Sequence, residues 1–376
     1  MTGFPGGGGS HGIGAGNRVG PAFRELSGSL GDFGTIIPLL CAVSIAANVS
    51  ATWVFIFAGI ATIATGIFYR FPIAVEPLKV IAVIAIAGNL TGPEIAASGM
   101  LIGLVFILLS YSGFLPVISR YIPEEVIRGV QLAIALLLAV SAVGFARGDL
   151  FPFLAGLGVI GLFWLLKKGK NIPDLSALVL LGVAGVTSAA TLGLPPLSLP
   201  AVPGLVVPSA QDFSRVIVLA VIPQVIVTLT NSVLATGQLA TDLGKPVPAE
   251  KLSRSIGVMN LVLSPFGGFP VCHGAGGLAA QYRFGARTGM AGVLGGTILV
   301  LFGLLLGSAV QSYFPLGIFG AMLVVVALEM ALHSIKTRSL PVTTITGVVG
   351  AVVSMTAGFF LGLGVAWGVR FYRRNR

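Results

Sequence analysis

The chain has 376 residues, of which 55% are hydrophobic and only 9% charged. A soluble domain carries about 25% charged residues to wet its surface, so this composition excludes a water-soluble globule of the same size. The formal net charge of +10 sits on basic residues scattered singly or in small groups between apolar stretches, with no aromatic-interleaved basic stripe; that excludes a nucleic-acid track and points to membrane orientation.

Residues 1–22 read as a flexible, glycine-rich tail without the basic-then-apolar order of a cleaved signal peptide. Its Gly12-Ile13-Gly14-Ala15-Gly16 run precedes no strand-turn-helix pattern and carries no nucleotide-binding meaning. Fourteen apolar segments follow, at 29–49, 52–69, 72–90, 95–113, 123–146, 150–168 and 173–193 in the first half. The second half gives 212–241, 250–265, 269–284, 288–311, 315–333, 338–354 and 356–372. The last two read either as one long bent helix or as a short hairpin. Cys41 and Cys272 lie in apolar surroundings and are too few for a disulfide framework.

With the N-terminus in the cytoplasm and one crossing per segment, nineteen of the 22 Lys and Arg residues fall at inner ends. Arg147 and Arg215 fall outside and Lys79 within a segment, a bias that the positive-inside rule requires. Both termini are therefore expected in the cytoplasm. The uncharged link from Pro195 to Pro208, within a linker at 194–211, divides the chain near its middle. Across it, Phe71-Pro72-Ile73 echoes Phe269-Pro270-Val271, and Tyr121-Ile122-Pro123 echoes Tyr313-Phe314-Pro315. Seven segments is an odd number, so the second half enters the membrane inverted, as in secondary transporters.

The third and tenth segments carry the chemistry. Pro72 and Pro77 bracket an extended piece, with a helix expected to start near Pro77. From there to Leu90 is about 21 Å of helix, short of the ~30 Å hydrocarbon core, so a half-helix begins in mid-membrane. The tenth segment repeats the design, with Gly267 to Cys272 poor in helix and His273-Gly274-Ala275-Gly276-Gly277 open to close approach by a ligand. Two facing half-helix N-termini would offer backbone N–H groups and partial positive charge to an anion. Kinked, closely packed ordinary spans are the alternative. Glu76 and Lys79, three apart, read as a structural ion pair or as a functional one. A carboxylate beside an anion is repulsive unless protonated, which makes Glu76 a candidate coupling group. His273 is either a donor to an oxyanion or a cap. Gln224, Thr228 and Asn231 share one helical face in the eighth segment, as polar glue or as cavity lining. Asp32 and Thr35 on the first segment are similar candidates. No metal-spaced cluster or Ser-His pair stands out, which argues against an enzyme.

Gly28 to Pro38 (GSLGDFGTIIP), Phe71 to Ala82 (FPIAVEPLKVIA), Pro223 to Leu243 and, most specifically, Pro270 to Gly289 (PVCHGAGGLAAQYRFGARTG) resemble motifs of the molybdate transporter family related to sulfate permeases. The similarity spans about Arg24 to Arg376. It implies an all-α membrane fold of fourteen segments in a seven-plus-seven inverted repeat, with the half-helices of segments 3 and 10 preceded by short strands. A core domain (23–113 and 212–311) would move against a gate domain (114–193 and 312–376), with no regulatory domain appended. The resemblance also implies secondary active transport of molybdate, with tungstate or sulfate as further candidates, through a plasma membrane. No cofactor, metal or nucleic acid is expected. A nucleobase or bicarbonate carrier and an anion channel are the alternatives, with proton or sodium as candidate coupling ions and a homodimer as a candidate assembly. The expected substrate-binding set is Thr35, Glu76, Lys79, Gln224, Asn231, Cys272, His273, Gly274 and Gly276, with Asp32 and Glu76 as coupling candidates. Where the family's first motif usually has Gln, this chain has Glu76.

Overall fold

The computed structural model describes residues 21–115, 121–167, 176–193, 200–310 and 315–374. The glycine-rich stretch 1–20, the first part of the proline link and the Tyr313-Phe314 echo lie outside the described residues. Helix α1 (Pro21–Ala46) turns at residues 30–32, so that its longer piece starts at Phe33. α2 (Ala51–Tyr69) is followed by strand β1 (Ala74–Pro77) and the short helix α3 (Lys79–Ile86). α4 (Gly92–Ser112), α5 (Glu124–Gly148), α6 (Leu150–Lys167) and α7 (Ser176–Leu192) complete the first half. The second half contains α8 (Ala210–Asp242), α9 (Ala249–Leu263), β2 (Val271–Gly274), α10 (Ala275–Arg283) and α11 (Met290–Leu306). It ends with α12 (Leu316–Ser334), α13 (Leu340–Val352) and α14 (Met355–Arg374).

Six of the described helices, α1, α2, α4, α5, α8 and α11, are long and apolar enough to cross a membrane alone. Exposed Ile67, Leu108, Val140, Phe151 and Trp164 give the bundle an outer surface that suits lipid rather than water. The last two apolar segments form a hairpin: α13 packs on α14, and Ser354 in the turn between them accepts the Ala357 N–H through its hydroxyl at 3.1 Å. Local signals set other boundaries. At the start of α4, Thr91 and Glu94 form a reciprocal capping box, with Pro93 in the first turn. Glu94 also pairs with Arg215 of α8, whose second guanidinium nitrogen donates to the Asn89 carbonyl at 3.3 Å.

α3 and α10 have eight and nine residues, about 12 and 14 Å at the α-helical rise, and neither spans a bilayer. α3 starts two residues later than Pro77. The Leu78 N–H donates to the Pro270 carbonyl at 2.9 Å, which keeps that residue in extended pairing and delays the helix.

Long helices pack side by side: α2 along α11, α4 along α9, α5 along α12 and α13, and α6 along α12. The α2–α11 seam is backbone against backbone. A Cβ at Gly296 would sit 2.5 Å from the Gly59 carbonyl oxygen and 2.8 Å from the Ile63 nitrogen. Small residues of this kind allow close helix approach where no hydrophobic force holds helices together. Gly296→Val is therefore expected to overpack the seam, at about 1–3 kcal/mol, and to lower the melting temperature of detergent-purified protein followed by size-exclusion chromatography. An unchanged melting temperature would contradict this packing.

Candidate functional site

β1 and β2 pair antiparallel, with Ala74 opposite Gly274, Val75 opposite His273, Glu76 opposite Cys272 and Pro77 opposite Val271. All eight residues are buried. Pro77 forces Glu76 towards extended backbone, and the Phe-Pro starts do the same at the head of each segment. Asn260 of α9 completes the pairing. It accepts the Val271 N–H at 2.9 Å and donates to the Val271 carbonyl at 2.7 Å, serving as a side-chain edge strand. Because the strands are antiparallel, α3 and α10 leave in opposite directions. Their N-termini therefore lie toward opposite ends of the strand pair rather than abutting.

Alternation along the strands sorts the candidate residues onto two faces. Ala74, Glu76, Cys272 and Gly274 share one face; Val75, Pro77, Val271 and His273 share the other. His273 is thus turned from the Glu76 face. Its Nδ1 lies 3.2 Å from the Ala74 carbonyl and its Nε2 lies 2.7 Å from the Ser255 hydroxyl, while its ring meets Tyr69 edge-on. Both ring nitrogens serve packing between β1, β2 and α9. Neither the donor role nor the capping role expected for His273 corresponds to these contacts.

Each half-helix is capped from another segment. Gln224 of α8 is buried, and its Oε1 accepts the Val80 N–H at 2.8 Å and the Ile81 N–H at 3.3 Å, while its Nε2 donates to Thr228 at 2.8 Å. Gln224 therefore serves α3 as an acceptor, a contact of the polar-glue kind, where the expected substrate-binding set had included it. Glu76 caps α10: its Oε1 accepts the Gly277 N–H at 2.9 Å, and its Oε2 pairs with the Lys79 ammonium. These caps use the second and third N–H of α3 and the third of α10. Lys79, Ala275 and Gly276 hold the remaining first-turn N–H groups, which have no intrahelical acceptor.

The glycines at this point have definite reasons. A Cβ at Gly274 would strike the Glu76 carboxylate, and one at Gly277 would meet Asp32, Ala74 and Glu76. Gly276 differs: it is exposed, and a Cβ there would meet nothing within 4 Å. Open space thus adjoins the α10 N-terminus, and the Lys79 side chain, 24% exposed, is the cation of the same cluster. Asp32 is buried at the break in α1. Thr35 and Asn231 are half-buried on α1 and α8, which pack against β1 and β2 respectively. Asn231 and Ser232 fall in a π-helical stretch, Thr228–Ala235, and a second such stretch, Ile217–Val221, precedes Gln224. Wide turns of this kind re-aim side chains and recur at functional sites. Among the described residues, no three of His, Cys, Asp and Glu gather to hold a metal ion.

Sequence reasoning missed Gly277 and Asn260. Gly277 lies in the glycine run already singled out, but only the fold brings Glu76 to it. Asn260 is a buried amide in an apolar segment, and nothing in the sequence connects it with β2.

A family profile described as "Molybdate transporter of MFS superfamily" matches residues 24–138 and 216–330. Molybdate transporter 2 of Arabidopsis thaliana is 33% identical, over 94% of this chain and 87% of its own length. Among solved structures, murine Solute Carrier 26 family member A9, an anion transporter in its inward-facing state, superposes with a TM-score of 0.73 at 17% identity, over 93% of this chain and 68% of that one. The transmembrane domain of the cyanobacterial bicarbonate transporter BicA gives 0.67 at 16% identity, over 92% and 96%. At these identities the structures share the fold.

Gln224→Leu is expected to leave the buried Val80 and Ile81 N–H groups without an acceptor, costing about 1–3 kcal/mol. Gln224→Glu keeps the acceptor at a helix N-terminus and should retain most of the stability. Thermal unfolding of the two purified variants measures the difference; equal melting temperatures would remove Gln224 from this role.

Proposed function

This chain belongs to the molybdate transporter family, and from that premise we propose that it is a secondary active transporter of a small oxyanion, most directly molybdate, with tungstate and sulfate as related candidates. The observation that carries the reading is the strand pair from which two half-helices start, with open space beside Gly276 at the α10 N-terminus. The substrate would take N–H groups from Lys79, Ala275 and Gly276 and charge from the Lys79 ammonium. Hydrogen bonds from preset backbone donors and helix dipoles hold an anion without a fully desolvated counter-charge. Thr35 and Asn231 would supply side-chain contacts, and Cys272 the wall beside Glu76.

The packing supports an inverted seven-plus-seven repeat. Exchanging each segment with its counterpart seven places on turns α2 against α11 into α9 against α4, and α5 against α13 into α12 against α6. Both members of each pair of contacts occur. On this reading α1–α4 and α8–α11 form the core that carries the anion, α5–α7 and α12–α14 form the gate, and relative motion gives alternating access. On the same reading both termini lie on the cytoplasmic side of a plasma membrane, an orientation that the Lys and Arg bias supports, and a homodimer is a suitable assembly for a gate held still.

Uptake of labelled molybdate into proteoliposomes tests this. Uptake should saturate and be competed by unlabelled molybdate more strongly than by bicarbonate or uracil; flux without saturation or competition would overturn it. Gly276→Leu adds a side chain at a position where a Cβ would meet nothing within 4 Å. We expect it to fold with a near-native melting temperature yet to lose more than about tenfold in molybdate affinity, equivalent to about 1.4 kcal/mol. Unchanged affinity in this variant would move the pocket elsewhere.

A further inference from the structure

Two of the donors best suited to an oxyanion are already engaged by a carboxylate of the protein. Glu76, 2% exposed, takes the Gly277 N–H with one oxygen and the Lys79 ammonium with the other. The backbone is shaped for this, since any side chain at Gly274 or Gly277 would displace that carboxylate. We infer that Glu76 is a tethered occupant of the anion site, and that the oxyanion binds together with one proton, which neutralises Glu76 and releases the Gly277 N–H and Lys79 to the guest.

The inference rests on the anion-site reading above. Charge explains why a proton must accompany the anion. On the face that Glu76 shares stand Lys79 from α3, Asp32 from α1 and the Cys272 thiol from β2. α10 and α8 bring Gly277 and Ser232, and His273 and Tyr69 lie on the far side of the strands. An oxyanion dianion placed here meets two carboxylates and one ammonium in a medium where like charges repel strongly. Protonating the carboxylate that occupies the donors relieves the repulsion and vacates them in one step. In that step Glu76 gains a proton from the side that delivers the anion, only hydrogen bonds break, and Lys79 stays an ammonium throughout. The loaded state then holds one more proton than the empty state, so binding strengthens as pH falls, by up to about tenfold per pH unit. By reciprocity a proton gradient would draw the anion with it.

Calorimetric titration of the purified full chain with molybdate, in two buffers of different ionisation enthalpy across neutral pH, counts the protons taken up per anion. Close to one is expected for the wild type, and none for Glu76→Gln, whose affinity should not vary with pH. Molybdate binding by the wild type without proton uptake would overturn the inference and leave the oxyanion reading standing. One proton taken up by both proteins would also overturn it, by assigning the proton to another group. Absence of molybdate binding in the wild type would overturn both readings. Should Glu76→Gln fail to fold, Asp32→Asn takes its place: one proton per anion is still expected, and its loss would assign the proton to Asp32 and overturn the inference.

Discussion

Backbone amides at the middle of a membrane need partners, and the site follows from how this chain supplies them. Breaking two spans exposes N–H and C=O groups where no lipid can satisfy them. β1 and β2 satisfy one another, Asn260 satisfies Val271 at the edge, and Gln224 and Glu76 take part of the N–H set at each half-helix start. Of the first-turn groups left over, those of Ala275 and Gly276 stand at the α10 start, where a Cβ on Gly276 would meet open space. Unsatisfied donors at the helix starts are what remains after local satisfaction.

The two caps differ in charge, and that difference orders the site. Gln224 is a neutral amide held by Thr228, so the α3 terminus keeps its partial positive charge. Glu76 brings a full negative charge to α10 and is itself held by Lys79. One helix end therefore remains attractive to an anion while the other is already matched.

Much of this architecture can be read from residues alone. Apolar segments, Lys and Arg bias and the repeated Phe-Pro starts announce broken spans, because proline and the length of the hydrocarbon core act locally. The resemblance of the Pro270–Gly289 stretch to molybdate transporters agrees with the family to which the chain belongs. Facing and pairing are less legible. Which of Cys272 and His273 looks toward Glu76 depends on a strand of four residues, where a shift of one reverses every side chain. That Gln224 accepts rather than donates depends on two N–H groups more than 140 residues away in sequence. Long-range partners of this kind leave no periodic trace.

The strand pair also fixes which parts of the bundle can separate from one another. Four residues on each side are zipped together, buried on both faces, and stitched to α9 by Asn260. Prising α3 from α10 would strand polar backbone in hydrocarbon, so the two halves of the cradle lack any cheap hinge between them. Stiffness therefore belongs to the strand pair and the two helix starts that leave it, and any rearrangement of the bundle falls on the seams around them.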